Sequence, residues 1–307
     1  MSLSLGETVA PGRARTTRPG VWLTELSLVG MALIWGVNFS VVKFGTSVID
    51  PLAYNGVRVM LAGLLLSAIV FARRMALPPG RTMFALLGLG VLGNGVYQVF
   101  FIEGIARTRA SDAALVIAAT PAFIAVIGRL RGVDRVAARG ALGIALSIAG
   151  IALVVLGSTD GREGQATVTG DLLVLIGALC WAVYTVLLKP YTERVGGLQL
   201  SALTMMGGAL PLFAVASPAV SHAPWRALPA MGWLAIVYSG VFALVVAYLF
   251  WYNGVRVIGP TRTSMYSNLQ PIVAVLVAWP MLGEIPTLWQ IVGAACIMGG
   301  LVLTRTR

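Results

Sequence analysis

The chain has 307 residues, of which 58% are hydrophobic and only 11% are charged, and its mean hydropathy is +0.89. A soluble protein of this length needs more polar residues to cover its surface, so the composition excludes that class and indicates an integral membrane protein. The net charge of +11 raises the alternative of a nucleic-acid partner. The basic residues are dispersed among short connections rather than clustered in one domain, which argues against such a partner.

Apolar segments of about 20 residues, the length that crosses roughly 30 Å of hydrocarbon as helix, recur along the chain. They predict an all-α integral membrane protein with ten transmembrane helices. These helices are expected near residues 24–45, 51–72, 82–105, 110–128, 138–157, 170–189, 198–217, 230–253, 260–281 and 287–304. Residues 1–20 are polar and are predicted to form a disordered cytoplasmic tail. They do not fit a cleaved signal, because no small-residue cleavage site follows the first apolar segment.

Two parts of the sequence resemble each other. The segment Trp35–Lys43 (WGVNFSVVK) returns as Trp181–Lys189 (WAVYTVLLK), displaced by 146 residues. Later positions return at a displacement of 150 residues: Gly104 with Gly254, Pro121 with Pro271, Gly143 with Gly293, and Gly150 with Gly300. The difference of four residues is expected in a loop. The sequence therefore predicts two five-helix repeats, residues 21–157 and 170–307, joined by a polar linker at residues 158–169.

An odd number of helices in each repeat places the second repeat in the membrane in the opposite orientation. With both termini in the cytoplasm, inner segments carry sixteen Lys and Arg residues and outer loops carry four, as the positive-inside rule requires. Inverted repeats are typical of alternating-access transporters, which bind their substrate near the midplane where the halves meet. Duplication that serves stability alone is the alternative.

Short motifs follow one another in a fixed order along nearly the whole chain from residue 24. They comprise Trp35, Gly36, Asn38, Phe39, Lys43, Pro51 and Arg58 in the first half, and Trp251, Tyr252, Gly259, Pro271, Gly283, Glu284, Gly293 and Gly300 in the second. In these motifs the sequence resembles a ten-helix EamA-type member of the drug/metabolite transporter superfamily. One departure is Asp134, which stands where the family usually has Gly-Glu and keeps an acid there. The resemblance implies a bacterial inner-membrane exporter of small metabolites such as amino acids.

Two prolines fall about ten residues into the predicted fourth and ninth helices, near the bilayer centre at 1.5 Å per residue. Pro121 and Pro271 each remove a backbone hydrogen bond, which is expected to leave a carbonyl without its partner, at Ile117 and Ser267 respectively. Such a carbonyl is tolerated where it is buried or faces a cavity. Each kink either bends during gating and offers an acceptor to a substrate ammonium, or is a static packing feature.

Aromatic and amide side chains gather at equivalent depths in the two halves. They predict a mostly apolar substrate pocket with a few polar groups, whose ring faces suit aromatic or cationic substrates. Some of the rings could instead belong to an aromatic belt at the membrane interface. The candidate substrate-binding residues are Trp35, Asn38, Tyr97, Gln98, Phe101, Trp181, Tyr184, Tyr248, Trp251, Asn268 and Gln270.

Few charged residues are predicted inside the spans. Lys43 and Lys189 are expected near opposite membrane faces, where each extends its ammonium to water, although a gating or carboxylate-binding role for Lys43 stays open. Glu103 is the acid expected within a span, so it is the candidate for proton coupling. Arg58 is a candidate partner for Glu103 or for a helix end. The predicted midplane has no acid, which favours facilitated diffusion or exchange.

The sequence predicts a carrier for small zwitterionic or amphipathic metabolites, with neutral and aromatic amino acids favoured because the candidate pocket is aromatic and nearly uncharged. Anionic substrates are expected to need paired midplane cations, which the predicted midplane lacks. A proton-coupled exporter of lipophilic cations is the alternative, and it requires an acid in the cavity. No Ser/His/Asp set, metal-ligand cluster or phosphate loop indicates an enzyme or a cofactor. The expected partners are the lipid bilayer and a small-molecule substrate, and the oligomeric state stays open.

Overall fold

The computed structural model describes residues 19–131, 138–157, 168–258, 263 and 266–305. Within them the chain forms the helices Pro19–Val48 (α1), Pro51–Ala72 (α2), Gly80–Arg107 (α3), Ala110–Leu130 (α4), Ala138–Gly157 (α5), Val168–Thr192 (α6), Gly197–His222 (α7), Ala230–Ile258 (α8), Leu269–Leu282 (α9) and Leu288–Arg305 (α10). The predicted tail up to residue 18, the predicted linker up to residue 167, Asp134 and Gly259 lie outside the described residues.

Seven of the described helices, α1 to α4 and α6 to α8, are long and apolar enough to cross a membrane. The apolar segments of α5, α9 and α10 are shorter. Large apolar side chains cover the outside of the bundle, where Phe71 is 85% and Leu130 is 81% exposed. A protein in water seldom presents such extensive apolar surface, whereas lipid solvates it. The all-helical class is thus confirmed with seven candidate spans, and the count of ten stays a prediction.

Both α3 and α8 contain a π-helical segment, at Val91–Val96 and Tyr238–Val246. A π-helical turn widens the helix and is frequently found at functional sites. Displacing residues 91–96 by 150 gives residues 241–246, which fall inside the second segment. The same irregularity therefore recurs at the displacement seen in the sequence.

The helix α4 is broken rather than kinked, since one helical segment ends at Ala118 and the next begins at Thr120. Pro121 lies in the first turn of the second segment, where a missing N–H is not needed by the helix. Pro271 is the third residue of α9 and follows a turn at Ser267 and Asn268. The expectation of a continuous helix through each proline was therefore wrong, because a helical segment begins one residue before Pro121 and two residues before Pro271. Pro121 still lies eleven residues after Ala110, the first residue of α4.

Glycines allow close approach of helices at matched positions. A Cβ atom on Gly104 of α3 would lie 2.6 Å from Cγ2 of Val174 in α6. A Cβ atom on Gly254 of α8 would lie 2.8 Å from Cδ2 of Leu28 in α1. Gly104 and Gly254 differ by 150 residues, whereas Leu28 and Val174 differ by 146. The contact between α3 and α6 thus recurs as the contact between α8 and α1 at the two displacements found in the sequence.

The contact of α3 with α7 and the contact of α8 with α2 show the same correspondence. A Cβ atom on Gly90 of α3 would meet the carbonyl oxygen of Thr204 in α7. A Cβ atom on Gly240 of α8 would lie 3.1 Å from the carbonyl oxygen of Arg58 in α2. Gly240 is displaced by 150 residues from Gly90, and Thr204 by 146 from Arg58. Small residues at these crossings let the backbones approach each other, as is usual in membrane bundles.

Replacement of Gly104 by alanine should destabilise the protein, because the new methyl group would lie 2.9 Å from the backbone of Gly170 and of Val174 in α6. We expect a loss of about 1–3 kcal/mol, the usual effect of overpacking. The matched control is Gly88→Ala in the same helix, where no atom lies within 4 Å of the new Cβ. Thermal denaturation of the detergent-purified variants measures the effect, and equal Tm values for the two variants would contradict the close crossing.

Candidate functional site

A cavity lies among α1, α2, α3, α4, α6, α8 and the start of α9. It brings together side chains from both halves of the chain. Ten of the residues proposed from the sequence line its wall: Trp35, Asn38, Tyr97, Gln98, Phe101, Pro121, Trp181, Tyr248, Trp251 and Gln270. The wall is mostly apolar and aromatic with a few amides, which is the usual form of a small-molecule site.

Ring contacts run across the cavity from one half to the other. The Trp35 ring centroid lies 5.8 Å from those of Tyr248 and Trp251, and the Tyr97 centroid lies 5.2 Å from that of Trp181. The pairs are tilted or edge-to-face, which aromatic quadrupoles favour. Tyr248 and Trp251 are buried, with 3% and 6% of their surface exposed. These two rings therefore face protein, whereas an interfacial belt would face lipid.

The π-helical segment of α8 borders the cavity, and that of α3 ends immediately before residues that line it. Tyr97 and Gln98 directly follow the segment in α3, and Ala243 lies within the segment in α8. The indole Nε1 of Trp35 donates a hydrogen bond to the carbonyl oxygen of Ala243 at 2.8 Å. The irregular backbone of α8 thus fixes the orientation of the first aromatic ring in the wall. The hydrophobic pattern of the sequence did not predict these π-helical segments.

The break in α4 and the turn before α9 also border the cavity, since Ile117 and Ser267 both line it. Their carbonyls find partners, contrary to the expectation from the two prolines. The hydroxyl of Thr120 donates to the Ile117 carbonyl at 2.6 Å. The N–H of Gln270 donates to the Ser267 carbonyl at 3.1 Å. Each break is therefore stabilised locally, and the helical segments that begin there turn their N-terminal ends toward the cavity region.

Arg58 of α2 lines the cavity and is fully buried. Its Nε donates to Oδ1 of Asn55 at 3.0 Å, and its Nη2 donates to Oε1 of Gln98 at 2.7 Å. The guanidinium carbon lies 5.7 Å from the ring centroid of Tyr54 and 5.9 Å from that of Phe101. Sequence reasoning did not place this cation in the pocket. Its position could have indicated this, because Arg58 lies seven residues inside an apolar helix. Ionisable residues at such positions usually face protein or a cavity rather than lipid.

Two of the proposed binding residues lie outside the cavity wall. Tyr184 is buried behind Trp181, with ring centroids 5.2 Å apart, and its hydroxyl lies 2.8 Å from that of Tyr252. Asn268 lies in the turn before α9, and its buried Oδ1 has no hydrogen-bond partner in the part of the chain that the structure describes. Pro271 borders a separate apolar groove between α4, α9 and α10.

Lys43 does not extend to the membrane surface. Its side chain is buried, and Nζ donates to the carbonyl oxygens of Ile105 and Ala106, at 3.1 Å in each case. These carbonyls belong to the last turn of α3, where helical donors are missing and the helix dipole is negative. The anchoring interpretation was therefore wrong for Lys43, which ties α1 to the end of α3. Lys189 is exposed on α6.

Glu103 accepts a hydrogen bond from Arg107, one turn later in α3, and is partly exposed. It does not border the central cavity. The suggested pairing of Arg58 with Glu103 is also wrong, since Arg58 reaches the amides of Asn55 and Gln98.

Three other acids are more deeply buried than Glu103, namely Asp112, Asp171 and Glu284. Glu284 accepts the N–H of Ala110 at 2.8 Å, the N–H of Ser111 at 3.0 Å and the Ser111 hydroxyl at 2.6 Å. It therefore caps the N-terminus of α4, where orphan donors and the positive end of the helix dipole favour a carboxylate. The expectation that Glu103 is the acid inside a span was incomplete, because Glu284, which the sequence places in a loop, is buried in the bundle.

The remaining two acids join the same end of the bundle. Nε2 of Gln290 in α10 donates to Oδ1 of Asp112 at 2.7 Å and to the Ser111 hydroxyl at 2.9 Å. The hydroxyl of Thr108 donates to Oδ1 of Asp171 in α6 at 2.6 Å. We call the hydrogen bonds of Glu284, Asp112, Asp171 and Gln290 the end network. The bonds of Glu284, Asp112 and Gln290 connect α4 to the α9–α10 turn and to α10, and the bond of Asp171 connects the α3–α4 turn to α6. None of these four residues lines the cavity.

Comparison with known proteins agrees with this helical architecture. The sequence model of the EamA-like transporter family matches residues 22–156 and again residues 168–306. The chain is 32% identical over 263 residues to the uncharacterized inner membrane transporter YedA of Escherichia coli, covering 84% of this chain and 82% of that protein. It is 26% identical over 280 residues to the uncharacterized transporter YyaM of Bacillus subtilis, covering 90% and 92%. A crystal structure that is 19% identical shares the fold with a TM-score of 0.61, over 92% of this chain and 96% of that one.

A helical membrane bundle with a central cavity and these relatives define a multi-pass membrane transporter. The chain belongs to the EamA-like transporter family.

Replacement of Glu284 by alanine should destabilise the protein, because the N–H groups of Ala110 and Ser111 lose their acceptor. We expect a loss of about 1–3 kcal/mol, the usual effect of an unsatisfied buried donor. The matched control is Glu103→Ala, which removes a partly exposed pair within one helix and should cost less than about 1 kcal/mol. Thermal denaturation in detergent distinguishes the two, and a greater effect at Glu103 would contradict the capping role of Glu284.

Proposed function

We propose that the protein exports small metabolites across a bacterial inner membrane, with neutral and aromatic amino acids as the substrates, by facilitated diffusion or exchange. The observation that carries this proposal is the cavity between the two halves, whose wall combines rings such as Trp35, Tyr97 and Trp181 with the amides of Asn38 and Gln270. Ring faces suit an aromatic side chain, and amides suit the polar backbone groups of an amino acid.

The proposed architecture is ten crossings arranged as two inverted five-helix repeats, with both termini in the cytoplasm. The two matches to the family model support a duplication. The packing supports it too, since α3 meets α6 as α8 meets α1, at the displacements of 150 and 146 residues. In this proposal the shorter helices α5, α9 and α10 complete the two sets of five. Five helices per repeat then turn the second repeat over.

We propose alternating access as the transport mechanism. Inverted repeats can exchange their two conformations, so that a site between them opens first to one side and then to the other. The end network joins α4 to the α9–α10 turn through Glu284 and Gln290 and is proposed to close the outer end. Opening at this end requires these hydrogen bonds to break and re-form within each transport cycle.

Substrate entry also requires the cavity to widen. Its volume is ≈ 90 Å³, which is less than the roughly 150 Å³ of an engineered cavity that accepts benzene. The Tyr97 and Trp181 rings now contact each other across it. In this proposal an aromatic substrate takes the place of such ring contacts when the halves move apart, so the favourable ring interactions are exchanged rather than lost.

The charges of the cavity support one of the two transport hypotheses over the other. Among the described residues its wall contains the cation Arg58 and no carboxylate. A lipophilic cation would meet repulsion from Arg58, and a proton-coupled route would have no carboxylate in this wall to use. These observations favour a zwitterionic amino acid and transport without proton coupling over export of lipophilic cations.

The purified protein in liposomes tests this function by exchange of labelled amino acids. Phenylalanine and tryptophan should exchange across the membrane, at rates that an imposed pH gradient leaves unchanged. The lipophilic cation tetraphenylphosphonium should not be moved. Transport of the cation alone, or amino-acid transport only with a pH gradient, would favour the alternative.

Replacement of Trp181 by alanine should raise the KM for phenylalanine exchange by roughly tenfold, since it removes about 1–1.5 kcal/mol of ring contact. The matched control is Trp279→Ala in α9, where the indole is 56% exposed on the outside of the bundle. Its KM should remain that of the wild type. Equal effects of the two substitutions would show that Trp181 contributes no more to the site than a ring on the outer surface.

Replacement of Glu103 by glutamine should leave amino-acid exchange within about twofold of the wild type, because a partly exposed pair inside one helix contributes little. The measurement is the exchange rate at two pH values on either side of neutrality. A loss of transport that depends on pH would instead support proton coupling through Glu103.

A further inference from the structure

We propose that Arg58 binds the carboxylate of the transported substrate, so the substrates are molecules that carry this group. The inference rests on the proposed function of the central cavity and names the chemistry that the cavity selects. It depends on four observations: the charge of Arg58 within the bundle, the hydrogen bonds that hold it, the residue at the corresponding position of the second half, and the acceptor groups nearby.

The positive charge of Arg58 is not neutralised within the described part of the protein. The side chain is 0% exposed and borders the cavity. The ion pairs among the described residues join Arg107 to Glu103 and Arg109 to Glu284, and neither includes Arg58. An arginine side chain stays protonated in proteins. Burial of a charge without a counter-ion is costly, so a substrate carboxylate in the cavity would relieve this cost.

The guanidinium is held in place and retains donors for a ligand. Of its five N–H groups, one on Nε reaches Asn55 and one on Nη2 reaches Gln98. Asn55 is itself fixed, because its Nδ2 donates to the backbone carbonyl of Gln98 at 2.9 Å. Neutral amides thus orient the cation without cancelling its charge. A planar guanidinium with free donors matches the two oxygens of a carboxylate.

The helix packing does not require a charge at this position. A displacement of 146 residues from Arg58 leads to Thr204 in α7, which is also fully buried. The backbone of Thr204 packs against Gly90 as the backbone of Arg58 packs against Gly240. Since the corresponding crossing is made with a neutral threonine, the arginine serves something other than the crossing itself.

The same cavity also offers groups for the other end of an amino acid. Asn38 borders the cavity, and its buried Oδ1 has no hydrogen-bond partner among the described residues. This oxygen can accept a hydrogen bond from a substrate ammonium. The second segment of α4 and the helix α9 begin at Thr120 and Leu269, next to the cavity, and their positive ends favour an anionic group. The cation together with this acceptor matches a zwitterion with a single carboxylate.

Competition in liposomes tests the role of Arg58. Exchange of labelled phenylalanine by the full-length protein is inhibited with unlabelled phenylalanine or with phenylalaninamide, which keeps the ring and the ammonium but lacks the carboxylate. The wild type should prefer the acid by about tenfold or more, the usual effect of a hydrogen bond to a charged group. In Arg58→Gln the preference should fall below about threefold, and in Arg58→Lys it should be partly kept.

The matched control is Arg226→Gln, the same substitution at an exposed residue between α7 and α8, which should retain the wild-type preference. Equal weakening of both inhibitors in Arg58→Gln would show a purely structural role and overturn the proposal. If Arg58→Gln does not fold, the wild-type preference and that of Arg58→Lys decide. A wild type that does not distinguish acid from amide refutes the role of Arg58 and leaves the proposed function intact.

A wild type that exchanges no aromatic amino acid refutes the proposed function instead. Thermal stabilisation of the purified wild type by 3-phenylpropionate and by its amide then tests Arg58 independently of transport. Stabilisation by the acid alone, reduced in Arg58→Lys and lost in Arg58→Gln, would support carboxylate binding. Equal stabilisation by both compounds, or by neither, would overturn it.

Discussion

Backbone polar groups inside a bilayer find no water, and this constraint governs where the bundle departs from regular helix. The π-helical segments Val91–Val96 and Tyr238–Val246, the break at Ala119 and the turn before α9 all adjoin one cavity. There, displaced carbonyls meet protein donors such as the indole of Trp35 and the hydroxyl of Thr120. Regular helix forms the outside of the bundle, and the irregular backbone lies around the cavity.

The ionisable groups divide in a similar way between the ends of the bundle and its cavity. Lys43 reaches the last carbonyls of α3, and Glu284 reaches the first N–H groups of α4. Both charges therefore compensate helix termini, which carry partial charges of opposite sign. Arg58 has no such terminus, since its contacts are amides and aromatic rings. The contrast separates charges that hold the fold together from the one placed beside the cavity.

Much of the cavity was predictable because residues at equal displacement in two repeats occupy corresponding places. Trp35 and Trp181 were found this way, and both line the wall. The π-helical segments were not predictable, since one widened turn hardly alters hydrophobic periodicity. Tyr184 was assigned to the cavity from helix spacing, but rotation of α6 turns it behind Trp181. The partners of Lys43 and Glu284 depend on distant helix ends, which a local pattern does not contain.

The difference between Arg58 and Thr204 has a further consequence for a site built from two similar halves. A symmetric chamber would accept an asymmetric guest in two poses of equal energy. In the proposed carboxylate site the cation lies on one flank only, so the acidic end of a bound substrate would be drawn to α2 and its side chain would lie against the rings opposite. Under that proposal entry and release would follow chemically unequal routes, even though the two proposed repeats would surround the site with similar helices.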